Sequence, residues 1–336
     1  MAISKIGGIN LSSISKIGGI NKASISKFMG ITFPQDTNLQ VSAYWDYPDS
    51  WGYPPFYIYY GTDGNLWASY GNSSNATIAK IRTSDMITIG TTVQNSGGST
   101  WGWTNKSDNG TFLFVGSVGV YAVKVTMSNM TSSRFGYFNT NNGCMILSGY
   151  LWIGASSLYK YQIDPTNLIT SYGIDIYGGF FGTDGTYLYE FRASGRKDIY
   201  KINPSNGNVV GTLNIGYDPM NGVQNSTSLY YDGYFYHIAY NNTLYKINPS
   251  NMTIVTSLYI PYSHGMTRVG NYLYVALANG TNSGIQKYDI SNGIIFLSQR
   301  NYSNNLYTMV NDGLYIYAVC DKDSNGNKRI IKTPVF

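Results

Sequence analysis

The chain has 336 residues and a net charge of +5, with charged side chains at 12% of positions against 33 tyrosines and 38 glycines. So small and dispersed a positive charge excludes a nucleic-acid groove, which needs clustered cations. One glutamate, Glu190, and two histidines leave little for acid–base chemistry, and no apolar run reaches the roughly eighteen residues of a membrane span.

Residues 1–33 form a segment of their own. Ile3-Ser4-Lys5-Ile6-Gly7-Gly8-Ile9 returns as Ile14-Ser15-Lys16-Ile17-Gly18-Gly19-Ile20 and, altered, as Ile25-Ser26-Lys27-Phe28-Met29-Gly30-Ile31, a period of 11. Glycine in every copy argues against a continuous helix, at about 1 kcal/mol each relative to alanine. The segment has no surface of its own on which to bury isoleucine. It reads as a docking arm in which Ile3, Ile6, Ile9, Ile14, Ile17, Ile20, Ile25, Phe28 and Ile31 fill pockets on a partner. Lys, Ser, Gly or Asn every few positions also separates it from a cleaved secretory signal.

Residues 34–336 carry a longer repeat. Residues 38–45 alternate like a strand. From Asp63 onward each unit has a turn, an aromatic-rich strand, a strand centred on lysine and a turn into a further strand. The clearest copies are Asp184-Gly185-Thr186-Tyr187-Leu188-Tyr189 with Ile199-Tyr200-Lys201-Ile202-Asn203-Pro204, and Asp232-Gly233-Tyr234-Phe235-Tyr236 with Leu244-Tyr245-Lys246-Ile247-Asn248-Pro249. The register lysines are Lys80, Lys124, Lys160, Lys201, Lys246, Lys287 and Lys332, spaced by 44, 36, 41, 45, 41 and 45 residues. A period near forty with several short strands predicts an all-β, seven-bladed propeller. The blades are expected at 52–95, 96–135, 136–173, 174–216, 217–260, 261–300 and 301–336. The last lacks a fourth strand, and the strand at 38–45 is predicted to supply it, removing two exposed edges.

The segment from Tyr200 to Leu213 resembles seven-bladed propellers of the YncE and quinoprotein-like kind, a likeness that covers about residues 38–336 and implies fold rather than function. The Ile-Ser-Lys-Ile-Gly-Gly-Ile arm resembles short tandem repeats at the start of bacteriophage tail or fibre proteins. Two copies carry Gly where Asn is more familiar. That resemblance implies a virion location, virion proteins as partners of the arm, and several copies per assembly.

The candidate sites are few. Asp321, Asp323 and Asn325 have the oxygen-ligand spacing of a calcium loop, but Lys332 stands where its closing glutamate belongs. A solvated hairpin turn is the competing reading, and no other cofactor is expected. Trp101 and Trp103 follow a Gly-rich loop, where they either stack on a ligand such as a sugar ring or wedge between blades. Trp67 and Trp152 are expected in the core. His237 falls in a tyrosine-rich strand and His264 in a loop entering blade six, neither with a second ligand at zinc spacing. Cys144 and Cys320 read as buried free thiols. Many Asn-x-Ser/Thr sequons permit glycosylation.

No hydrolase, zincin, Walker or dinucleotide motif occurs, so no catalytic residue is assigned. The expected function is a non-enzymatic virion adhesin or adaptor, held by its arm to a tail, collar or capsid, with the propeller displayed toward a host glycan or protein. The alternatives are a secreted or cell-surface propeller that binds glycan or protein, and a propeller enzyme with an unrecognised site.

Overall fold

A computed structural model describes residues 38–47, 58–71, 75–95, 106–115, 121–136, 138, 143–174, 180–192, 196–217, 219, 228–280, 283–321 and 328–336. It also describes six two-residue strands between residues 5 and 32. Seven four-stranded antiparallel sheets follow one another along the chain, at 58–95, 106–135, 143–172, 180–214, 228–259, 263–301 and 306–334. Six sheets are consecutive in sequence. The seventh is completed by Ala43–Asp46, which pairs with Lys328–Pro334 through Lys332↔Ala43, Ile331↔Tyr44, Ile330↔Trp45 and Arg329↔Asp46. The protein is a seven-bladed β-propeller closed by an N-terminal strand.

The closing strand is shorter than residues 38–45. Asn38 instead makes a parallel bridge to Asn301 of blade six, and Leu39 donates to the Asn301 carbonyl at 2.8 Å. Leu39 is buried in the core between blades six and seven. The chain therefore crosses one blade before it joins the next, and pairing with blade seven begins at Ser42 and Ala43.

The core lies between blades rather than within them, because a single twisted sheet cannot cover its own faces. Tyr236, Ile238 and Leu244 of blade five meet Leu273, Val275 and Tyr288 of blade six. Tyr317, Val319, Ile330 and Trp45 of blade seven meet Leu66, Ala68 and Ile81 of blade one, which seals the ring. Trp67 and Trp152 are buried in such interfaces as expected. Burial of large apolar side chains on this scale contributes about 1.5–3 kcal/mol apiece.

The turns follow local chemistry. Gly64, Gly185, Gly233 and Gly313 of the Asp-Gly turns have φ of 75–91°, the left-handed region that glycine enters without a steric cost. Asp184 Oδ1 accepts from the backbone N–H of Thr186 and Tyr187, and Asp312 Oδ1 from that of Leu314 and Tyr315. Since the four strands of a blade alternate in direction, the turns from first to second and third to fourth strands share one end of the ring. The turns from second to third strands, and the crossings to the next blade, share the other.

In the arm, each 11-residue copy forms the same unit. Lys5–Ile6 pairs with Ile9–Asn10, Lys16–Ile17 with Ile20–Asn21, and Lys27–Phe28 with Ile31–Thr32. The paired residues Ile6↔Ile9, Ile17↔Ile20 and Phe28↔Ile31 flank two-residue connections of Gly-Gly, Gly-Gly and Met-Gly, the composition that short hairpins favour.

Candidate functional site

The seven register lysines, all in the third strands of their blades, prove to be structural. Each lies over aromatic rings of its neighbouring second strand. Lys201 Nζ is 4.2 Å from the Tyr187 ring centroid and 5.9 Å from that of Tyr189, and Lys287 sits 4.0 Å over Tyr272. Five of them then reach the next blade. Lys80 donates to the Met127 carbonyl at 2.9 Å, Lys124 to Ile163 at 3.2 Å, Lys201 to Pro249 at 2.9 Å, and Lys332 to Thr83 at 2.7 Å. Lys287 donates to the Phe336 carbonyl. A register shift follows the lysine directly in blades one, three, four, five and six, at Lys80/Ile81, Lys160/Tyr161, Lys201/Ile202, Lys246/Ile247 and Lys287/Tyr288. A bulge of this kind re-aims a side chain, and here it recurs beside the staple.

The turn carboxylates are consumed in the same way. Asp63 pairs with Lys80 at 2.8 Å and accepts from Trp67 Nε1 at 3.2 Å. Burial pushes its carboxyl up, but the bonds from Lys80, Trp67 and Asn65 outweigh burial and hold it below the usual range. Asp184 and Asp312 accept from the hydroxyls of Tyr189 at 2.6 Å and Tyr317 at 2.8 Å.

Polar departures from the repeat sit in particular blades. Glu190 and His237 hold the same place in the second strands of blades four and five, where blades three, six and seven carry Ile153, Val275 and Ala318. Both are fully buried. His237 Nε2 lies 2.8 Å from the Pro219 carbonyl and so carries the proton, leaving Nδ1 to accept from Ser228 Oγ at 2.6 Å. Burial pulls its pKa down to about 3, against the opposing effect of the Pro219 bond. Phe191 stacks on the ring at 4.4 Å. This imidazole is fixed and neutral, and both of its ring nitrogens are engaged. Lys106, in the first strand of blade two, is pulled down to about 7 by burial, with Cys144 nearby opposing the shift. It is 9% exposed.

Asp321, the leading residue of the calcium-like motif, is committed elsewhere. Its carboxylate receives Lys328 Nζ, the Tyr307 hydroxyl at 3.1 Å and Asn305 Nδ2 at 3.0 Å. Asn305 Oδ1 in turn accepts from the Gly280 N–H and Ser283 Oγ, tying blade seven to blade six. The other two residues of that motif, Asp323 and Asn325, lie outside the described residues, as do Trp101 and Trp103. So do Ile3, Ile14 and Ile25, whereas Ile6, Ile9, Ile17, Ile20, Phe28 and Ile31 fall in the arm hairpins. Among the described residues no three His, Cys, Asp or Glu side chains come together as a metal would require. Cys144 and Cys320 are buried thiols outside any disulfide, and burial pushes the Cys320 thiol up to about 12.

His264 is not in a loop. It belongs to Ser263–Val269, the first strand of blade six, and meets the Tyr307 ring edge-on at 5.3 Å. The strand starts earlier than expected because Ser263 is already hydrogen-bonded to Ile260 and paired with Leu277.

What sequence reasoning did not bring together is a group of exposed tyrosines near this strand. Tyr240, Tyr259 and Tyr262 are 53%, 64% and 52% exposed, unlike the buried second-strand tyrosines Tyr189, Tyr236, Tyr274 and Tyr317. The signal was legible as tyrosine beside Asn-Asn and Pro in the loops, away from the Tyr-x-Tyr strand pattern.

No family model matches the chain, and no curated protein matches it. Similar solved structures are propellers of divergent sequence. BamB from Moraxella catarrhalis aligns with a TM-score of 0.57 at 10% identity, over 82% of this chain and 81% of that one. The Cps50 (Swd1) β-propeller domain of Myceliophteria thermophila gives 0.65 at 8% identity, over 89% and 100%. A catalytically inactive virginiamycin B lyase from Staphylococcus aureus, in complex with quinupristin, gives 0.65 at 15% identity, over 87% and 98%. At these identities the likeness establishes the seven-bladed architecture and carries no activity across.

Proposed function

We propose that the chain is a non-enzymatic attachment protein of a virus particle, anchored by its N-terminal arm and displaying the propeller for receptor binding or as an adaptor. The observation that carries this reading is the arm. Three hairpin units of the same pairing stand at an 11-residue period ahead of a ring that needs none of them for closure. A hairpin of two-residue strands is too small to be stable alone in water. Supplied three times, it suits a partner that offers the same groove repeatedly, as a symmetric shell or tube does. Binding through several copies raises the effective concentration of each, and roughly eleven extended residues reach about 40 Å between neighbouring sites.

The ring supports a binding role by its rigidity. Five of its repeated lysines are spent on bonds to the next blade and its turn aspartates on bonds within their own blades, and function in such scaffolds resides in the loops. The test is co-sedimentation of the full chain, of a 34–336 fragment and of the full-length variant Ile6→Asp/Ile17→Asp with high-molecular-weight particles from the source. The fragment keeps every strand of the ring, so its folding is checked by the same spectra as the full chain. Only the unaltered full chain should travel with particles; equal sedimentation of all three, or of none, removes the anchoring role.

A further inference from the structure

We infer that Tyr240, Tyr259 and Tyr262 form a platform that binds a neutral glycan. This deepens the attachment reading and rests on it only in that this end of the ring is displayed outward. The three residues come from adjoining connections at the end of the ring that carries the second-to-third turns. Tyr240 lies in the turn between Tyr234–Ile238 and Thr243–Asn248, Tyr259 ends the outer strand Thr253–Tyr259, and Tyr262 lies in the crossing to blade six.

Their backbones are tied together. The Ile260 N–H donates to the Asn242 carbonyl at 2.8 Å, Ser263 to Ile260 at 3.2 Å, and Ala278 of blade six to Tyr262 at 3.0 Å. Asn242 and Tyr262 are held at φ of 60° and 61°, a conformation that costs a bulky residue about 1 kcal/mol or more. The fold thus fixes a large aromatic side chain in an unfavourable backbone state while leaving its ring in water. Exposed rings grouped on a rigid base are characteristic of recognition surfaces, where the flat face gives contact area at low entropic cost.

The surroundings select the partner. Residues 239–243, 259–263 and 278–280 contain no charged side chain, so an anionic or cationic ligand finds no counter-charge there. Amides stand beside the rings instead. Asn241 is used internally, accepting from the Thr243 N–H at 3.2 Å and donating to the Tyr245 hydroxyl at 3.4 Å. The side-chain amides of Asn242 and Asn279, half-buried, have no hydrogen-bond partner among the described residues. Apolar ring faces with uncharged donors and acceptors at their edge match a pyranose, whose C–H face is apolar and whose rim is hydroxyl.

The experiment is saturation-transfer NMR and calorimetric titration of the full-length protein. The probes are mannotetraose, cellotetraose and maltotetraose, with sialyllactose and a heparin tetrasaccharide as charged comparators. At least one neutral probe should bind and the charged ones should not. Tyr240→Ala, Tyr259→Ala and Tyr262→Gly should each weaken binding about threefold to tenfold, with Val255→Ser on the rim leaving it unchanged. Tyr262→Gly relieves the backbone rather than straining it, so loss of binding there is not a folding failure. Silence from all neutral probes, binding confined to the charged ones, or affinity that survives the three substitutions overturns the inference. Particles that carry the protein yet show no glycan binding would leave the anchoring role intact and sink this one alone.

Discussion

Lys332 Nζ donates to the carbonyl of Thr83 at 2.7 Å, so the last blade grips the first across 249 residues of chain. The same lysine lies 4.1 Å over the Tyr315 ring. Lys124 to Ile163 and Lys201 to Pro249 are the same contact elsewhere in the ring. This bond adds to the closing strand, Ala43–Asp46, which is held to the last strand of blade seven by hydrogen bonds alone and leads along the chain into blade one.

Lys332→Met should therefore lower stability by about 1–3 kcal/mol, the cost of losing a charge-assisted bond and leaving a carbonyl unpaired. Lys160→Met, which removes an ammonium resting on Tyr150 and Trp152, should cost less. Urea midpoints of the two variants against the parent decide it. An equal loss at both sites would mean that the rings, not the carbonyl, supply the stabilisation.

Acid should destabilise the fold through His237. Folded, it titrates near 3; unfolded, near the ordinary 6.5. Between those values the unfolded chain takes up a proton that the native one refuses. The stability is fully present above about pH 6.5 and falls by up to about 1.4 kcal/mol per pH unit below it. Denaturant curves at pH 7, 5.5 and 4.5 should show this slope in the parent and a shallower one in His237→Gln. Parallel slopes would place the acid sensitivity elsewhere.

The inner strands of blades six and seven approach closely at Gly265. A Cβ there would meet the Tyr307 carbonyl oxygen and the Thr308 Cα, which are backbone atoms that cannot rotate away. Gly265→Ala should cost about 1–3 kcal/mol or more by overpacking. Gly149→Ala, at φ +77° with nothing within 4 Å, should cost only the left-handed backbone penalty of about 1–2 kcal/mol. Thermal midpoints measure both, and a milder effect at Gly265 would show that the two blades can part.

Removing the closing strand should expose an edge. Trp45 Nε1 donates to Thr88 Oγ1 at 2.9 Å in blade one, and Arg329 pairs with Asp46 at 2.9 Å. A 48–336 fragment loses both and leaves the outer edge of Lys328–Pro334 unpaired, a template for aggregation. It should elute as oligomers or precipitate where a 34–336 fragment stays monomeric by light scattering. A monomeric, folded 48–336 fragment would show that the seam is held without the strand.

The architecture was legible because it depends on local signals repeated seven times. Asp-Gly at Asp184 and Asp312 dictates a turn through its own neighbours, and alternating Tyr-x-Tyr dictates a strand, so the period could be counted before any contact was known. The closing strand was legible by subtraction, from a seventh blade one strand short. Its true start at Ala43 was not, because Asn38 and Leu39 are claimed by blade six, a competition between distant partners that no local pattern records.

The sites divide along the same line. Lys80, Lys201 and Lys332 announced themselves by spacing, yet their use as staples is set by carbonyls in the next blade. Asp321 looked like a cation ligand from its spacing alone, and Lys328, Tyr307 and Asn305 take its carboxylate. Glu190 and His237 share one place in neighbouring blades, and Tyr240, Tyr259 and Tyr262 share one end of the ring. The first relation follows from the repeat once its register is known; the second, between residues of different connections, cannot be read along the chain. By itself the sequence determined the period, the turns and the blade number, because those arise from interactions within a few residues. Only the tertiary structure decided which polar groups are consumed in holding the blades and which rings remain exposed, because desolvation and hydrogen bonding depend on what the next blade brings to each side chain.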